Sequence, residues 1–139
     1  MEVKVERPDE ISENAYMPTM ADNINDLVNI CFGNAKAAGW HSTLGNDTVT
    51  KYLKPTQLML MVSELSEAME GERKGLMDTH LPHRPMAKVE LADAVIRIAD
   101  YCGRWGYDLG GAVVEKLEYN KSRADHKPEN RAKEGGKKF

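Results

Sequence analysis

Large aromatic side chains are scarce in this chain of 139 residues, at 6% of the total, and there are only two cysteines. The cysteines, Cys31 and Cys102, are far apart in sequence and both fall in apolar helical patterns, which excludes a disulfide framework or a Cys-based metal site and points to buried free thiols in a reducing compartment. No apolar run approaches the ~20 residues needed to span a bilayer. Charge of one sign is not in excess, since the net charge is −3, so there is no global basic field for wholesale nucleic-acid binding. Met1 to Asn14 lacks the apolar stretch of a signal peptide, which makes the cytoplasm, of a bacterium or of a phage-infected host, the expected location.

What is present is an ordinary globular composition, 41% hydrophobic and 29% charged, of a length that suits one domain with a single core. Residues 1–18 carry two prolines and five acidic side chains without a sustained period and read as an extension. A first helix is expected from about Thr19 to Ala38, because Ile24, Leu27, Val28, Cys31, Ala35 and Ala38 recur at helical spacing before Gly39. Residues 39–54, rich in Gly, Asn, Asp and Thr, read as a loop. Pro55 suits the first turn of a second helix to about Lys74. A third is expected from Pro85 or Met86 to Trp105, and a fourth from an Asp108 cap to about Ala124. Residues 125–139 read as a mobile polar tail that contributes basic residues. No stretch alternates like a strand. The expectation is an all-α, four- to five-helix bundle with its catalytic domain at 19–124.

Two acid pairs stand out. In the second helix Glu64 and Glu67 lie about 60° apart, one turn along the axis, so both can reach one ion. In the third, Glu90, Asp93, Arg97, Asp100 and Arg104 are confined to a stripe of roughly 80°, while the rest of the circumference is apolar. A helix this apolar should be largely enclosed, so its charged stripe faces a wet cavity or an interface. Buried carboxylates need a counter-charge, and a divalent cation is one of the few groups that supplies it. Oxygen-only ligation suits Mg²⁺, with Mn²⁺ as the alternative. Spacing alone leaves a second account open, a structural stripe with Asp93 and Arg97 as an i, i+4 ion pair.

On the expected fourth helix Lys116, Asn120 and Arg123 fall at i, i+4 and i+7, with Lys121 beside them. Such a row matches the oxygens of a triphosphate, or it is a solvated basic face partnered by Glu115 and Glu118. Trp40, after a helix end, either stacks a nucleobase or anchors its loop on the core. His80 and His83 have no third ligand and read as surface residues. Met59, Met61 and Met69 read as core fillers.

The pattern E-L-S-E at 64–67 and E-L-A-D at 90–93 resembles the E-x-x-E…E-x-x-D signature of the MazG-like all-α nucleotide pyrophosphohydrolases. N-A-K-A-A-G-W-H at 34–41, L-M-L-M-V-S-E-L-S-E-A-M-E-G-E-R at 58–73, E-K-L-E-Y-N-K-S-R at 115–123 and G-G-K-K-F at 135–139 are similar to further segments of that family, so the resemblance covers about 21–139 in order. It implies hydrolysis of a nucleoside or deoxynucleoside triphosphate to monophosphate and pyrophosphate, a Mg²⁺ requirement and a homodimer or homotetramer. It implies Glu64, Glu67, Glu90 and Asp93 as metal ligands, with Glu67 as general base. Asn34, Trp40, Lys116, Asn120, Lys121, Arg123 and the tail residues Lys137 and Lys138 are implied substrate contacts. A purine triphosphate such as dGTP or GTP is the expected substrate, with dUTP, dCTP or a damaged nucleotide as alternatives. The tail departs from the family at Arg131-Ala132-Lys133-Glu134, where relatives often carry Arg-Pro and a His nearer the helix. The rival class is a non-catalytic helical interaction module whose charged stripes are interface salt bridges.

Overall fold

The computed structural model describes residues 13–41 and 47–138. These form five helices, α1 (Glu13–Ala37), α2 (Asp47–Lys74), α3 (Met86–Trp105), α4 (Leu109–Ser122) and the single-turn α5 (Pro128–Arg131), with a 3₁₀ turn at Ala124–His126. Among the described residues there is no strand, only an isolated bridge between Met77 and Pro85, so the all-α expectation holds. Among them, too, no helix is long and apolar enough to cross a membrane.

The helix ends follow local chemistry where the sequence supplies it. Gly106, at φ 68°, closes α3 in the left-handed conformation that costs glycine nothing, and its N–H bonds the Cys102 carbonyl. Asp108 caps α4 by accepting from the Gly111 N–H at 2.9 Å. Between α2 and α3, the buried Asp78 accepts from the N–H groups of His80 and Leu81 at 2.8 and 2.6 Å, an Asx turn that tightens the connection.

Three expectations need correction. First, α1 begins at Glu13, not Thr19, and runs through Pro18, so only residues 1–12 of the expected extension lie outside the described residues. Second, α2 begins at Asp47, and Pro55 is inside it. Proline in a helix interior costs about 3 kcal/mol. Tertiary contact opposes that cost here, because Lys54 Nζ lies 4.5 Å from the Trp105 ring centroid and 3.3 Å from the Tyr107 hydroxyl. Third, the tail is folded locally. Asn130 Nδ2 donates to the Ala124 carbonyl at 2.7 Å and Lys133 Nζ to Asn130 at 2.9 Å.

The described residues divide into two compact units, those of 26–107 and those of 13–25 with 108–138. In the first, α2 and α3 pack through small side chains, Ala68, Ala87 and Ala94, all buried. Val28, Cys31, Ala99, Tyr101 and Cys102 complete the buried apolar set among the described residues, where no large side chain is fully buried. The two thiols are free and buried, as expected, and burial pushes both above the usual range, Asp100 adding to the effect at Cys31. Met59 and Met69, expected as core fillers, are 62% and 58% exposed. The enclosure expected of α3 is likewise absent from the chain by itself, for Leu91, Val95, Ile96 and Ile98 are all exposed.

In the second unit the start of α4 is tied to the first half of α1. Asn25 donates to Asp108 Oδ1 at 2.8 Å and accepts from the Gly110 N–H at 2.9 Å. Gly110 is buried, and a Cβ there would stand well inside van der Waals contact of the Ala21 carbonyl oxygen, which is backbone and cannot swing aside. Gly110→Ala is therefore expected to destabilise the protein by about 1–3 kcal/mol. Thermal unfolding measures this, and an unchanged midpoint would show that α4 does not approach α1 so closely.

Candidate metal and nucleotide site

The two acid pairs face each other because α2 and α3 run antiparallel through a short connection and meet on their small-residue faces. Glu64 and Glu90 are buried, Asp93 is exposed, and one carboxylate oxygen from each lies within 4.8 Å of the others. In an octahedral Mg²⁺ shell neighbouring oxygens are about 3 Å apart and opposite ones about 4.2 Å, so the three oxygens have to draw together to hold one such ion. Three oxygen donors and no sulfur or imidazole also favour a hard cation by type.

Glu67 stands apart. It is exposed and is not among the three clustered acids. Its charge still reaches Glu90. Burial is the chief cause that pushes the Glu90 carboxyl above the usual carboxylate range, the Glu67 charge is next, and a hydrogen bond to Glu64 with the charges of Glu64 and Asp93 adds to it. So the structure gathers three of the four expected ligands and leaves the fourth at the rim, near enough to be felt.

Sequence spacing paired Arg97 with Asp93, whereas Arg97 Nε donates across the seam to Glu64 Oε1 at 2.5 Å. Arg97 is 42% exposed and Glu64 10%, so solvent screens the guanidinium side of the pair while the carboxylate is enclosed. The wider unit holds features the sequence did not single out. His41 is buried, its Nε2 lies 2.8 Å from Asp100 Oδ1, and its ring meets Phe32 at 5.2 Å. Asp100 and Arg104 were both visible as members of the α3 stripe, but no pattern in the sequence names their partners.

The other expected contacts are dispersed. Trp40 follows the Gly39 stop and is 77% exposed, so it does not anchor its loop on the core, and Asn34 is exposed too. In the second unit the expected row on α4 is broken. Arg123 leaves the helix at φ −66° and ψ 125°, and its guanidinium turns to Asp125 with bonds of 2.9 and 2.6 Å. That pairing raises the guanidinium pKa and lowers the Asp125 carboxyl. Lys116 Nζ lies over the Tyr119 ring at 4.6 Å, and Lys121 pairs with Glu118 at 3.0 Å. Asn120 Oδ1 is buried without a hydrogen-bond donor. Lys137 lies 3.9 Å from Asp125 and lines, with Asp125, His126 and Arg131, a hollow of about 210 Å³, while Lys138 is exposed. His80 and His83 are exposed, as expected.

Because the folded state raises the Glu90 pKa, it holds a proton there that the unfolded chain has released. The stability this contributes is full below the ordinary glutamate range and is lost as pH rises through the raised value. In EDTA, Glu90→Gln is therefore expected to unfold at a higher temperature than the wild type at pH 8, with the gap closing as pH falls toward about 4.5. Mg²⁺ at about 100 times its Kd should add about 2.7 kcal/mol to the wild type and clearly less to Glu90→Gln. Equal responses of the two proteins to Mg²⁺ would remove Glu90 from the ligand set. No protein-family model, curated protein or solved structure matches the chain, so its function has to be argued from these residues themselves.

Proposed function

We propose that this chain is a Mg²⁺-dependent hydrolase that converts a nucleoside or deoxynucleoside triphosphate to its monophosphate and pyrophosphate, with a purine such as dGTP or GTP as the preferred substrate. One observation carries the reading. Two carboxylates, Glu64 and Glu90, are buried opposite each other and grouped with Asp93, on an E-x-x-E and an E-x-x-D segment of antiparallel helices. Three clustered acids with one half-exposed guanidinium are short of positive charge, and a metal–phosphate complex supplies it. The likeness of these segments to the MazG-like pyrophosphohydrolases supports the same chemistry.

Glu64, Glu90 and Asp93 would hold the ion. When bound there, Mg²⁺ supplies polarisation of phosphoryl oxygens and acidification of a nearby water. Glu67, exposed and outside the three clustered acids, would take a different task, accepting the proton of the attacking water at a carboxylate oxygen as the new P–O bond forms. The bond to the pyrophosphate then breaks, and its oxygen leaves with the electron pair. Arg97 sits beside Glu64 with its guanidinium part-exposed, where it can meet the growing negative charge.

The working form is a homo-oligomer in this reading. Leu58, Val62, Leu65 and Met69 on α2 recur at four-, three- and four-residue spacing, Leu91, Val95 and Ile98 on α3 do the same, and all seven are exposed. That is the a/d pattern of a helix that packs against further helices. The rival reading, a helical interaction module without turnover, draws on the same faces and on the Arg97–Glu64 pair.

Product analysis on the canonical triphosphates separates the two. Monophosphate and pyrophosphate should form with Mg²⁺ and not with EDTA, and Glu67→Gln should lower kcat at least 10²-fold while leaving Mg²⁺-dependent stabilisation in place. Leu65→Lys should lower the oligomer mass in light scattering. Orthophosphate release would assign another hydrolase class, and a folded wild type that turns over no nucleotide would favour the interaction module.

A further inference from the structure

Arg104, near the end of α3, carries two N–H donors that nothing meets. Its Nε and Nη2 are shielded from solvent and have no hydrogen-bond acceptor among the described residues. These two nitrogens form one edge of the guanidinium, with parallel N–H groups matched to two adjacent acceptors. The positive charge itself has some relief, because Cζ lies 5.3 Å from the centroid of the Trp105 ring. A ring face does not satisfy an in-plane N–H pair. Asp100, one turn back on the same stripe, gives its Oδ1 to His41. Of the two cations on this stripe, Arg97 has its carboxylate and Arg104 has none.

The Trp105 ring beside Arg104 is held by further contacts. Trp105 Nε1 donates to Gln57 Oε1 at 3.0 Å, Lys54 lies on the Trp105 ring, and Tyr101 is 6.3 Å from it. A buried unpaired donor costs about 1–3 kcal/mol. Two of them on one rigid edge, in the unit that holds the carboxylates, are the mark of a site completed by a ligand.

The position of Arg104 says which part of a ligand it reads. It is eleven residues from Asp93, about 16 Å along the axis. Side chains on a helix lean toward its N-terminus, so a guanidinium carried at this position tends to span less than the full axial gap. What remains is on the scale of a nucleoside measured from its base edge to its phosphates. Guanine presents O6 and N7 as adjacent acceptors, the pairing that an arginine fork reads best. Adenine offers a donor beside N7 and would oppose one N–H with another. Cytosine has adjacent acceptors at N3 and O2, but O2 lies against the sugar, where the fork would meet the ribose.

We infer that Arg104 is the base-reading residue of this chain, donating from Nε and Nη2 to O6 and N7 of a guanine nucleotide whose phosphates lie toward Glu64, Glu90 and Asp93. The inference rests on the nucleotide-hydrolase reading for the class of ligand, and its test is separate. Binding of dGMP, dIMP, 7-deaza-dGMP, dAMP and dCMP to the full chain is measured by calorimetry in EDTA, for the wild type and for Arg104→Lys, which keeps the charge and loses the fork. Turnover of the matching triphosphates with Mg²⁺ is measured in parallel. The wild type should bind dGMP and dIMP alike, and both about tenfold or more tighter than 7-deaza-dGMP and dAMP. Arg104→Lys should erase that ratio. Equal binding of dGMP and 7-deaza-dGMP by the wild type overturns the inference, whether or not the variant folds, and so does a preference for dCMP. A base ratio that Arg104→Lys leaves intact, with a changed oligomer mass, assigns the fork to a contact between copies and overturns it as well. Triphosphate turnover without a base ratio removes the subsite and leaves the hydrolase. A base ratio without turnover removes the hydrolase and leaves the subsite.

Discussion

Burial of Glu64 and Glu90 against each other, with the Arg97 guanidinium bonded to Glu64, is the constraint around which the α2–α3 unit is arranged. Two acids can sit on facing sides of a seam only if the helices approach closely enough to exclude water, and the seam is accordingly lined by Ala68, Gly71, Ala87 and Ala94. A seam made to hold a fold together would place leucine or isoleucine at 64 and 90. Acids at these positions raise the Glu90 pKa and lower stability near neutrality, which is a local conflict of the kind found where function sets the residue.

The same seam explains why the chain buries so little. Alanine and glycine bring the backbones together but remove little apolar surface, and the larger side chains of both helices then point elsewhere. Leu58, Leu65, Met69, Leu91 and Val95 are exposed for that reason, although the composition is that of an ordinary globular protein. The chain is 41% hydrophobic, yet no large side chain among the described residues is fully buried, and the proposed homo-oligomer rests on that observation.

Helical periodicity made much of this legible. The ends of α3 and the Asp108 cap follow from Gly106, Pro85 and Asp108 alone, and the two acid pairs follow from their spacing on apolar helices. What stayed illegible depends on contacts distant in sequence. Pro55 reads as a helix start until Lys54 is seen on Trp105. Arg97 has an acid four residues back on its own helix and pairs instead with one 33 residues away. Arg123 fits a helical row by number, yet a carboxylate two residues on turns it out of the helix. Exposure was misjudged for Met59 and Met69 because a sequence records that a face is apolar and not which chain covers it.

Arg97 bears on how the acidic cluster tolerates changes in its occupancy. A carboxylate has two oxygens and about four lone-pair positions, so the bond from Arg97 to Oε1 does not exhaust Glu64 as a ligand. The guanidinium offsets part of the charge of Glu64 when no cation is near, which keeps α2 and α3 from being driven apart. Being 42% exposed and bound through Nε, it has other donors free to turn outward when that offset comes from an ion. A lysine there would supply the charge but neither the second edge nor the reach to keep one hand on Glu64. In the proposed hydrolase the residue that pairs with Glu64 across the seam would also face the anionic substrate, through different nitrogens of one side chain.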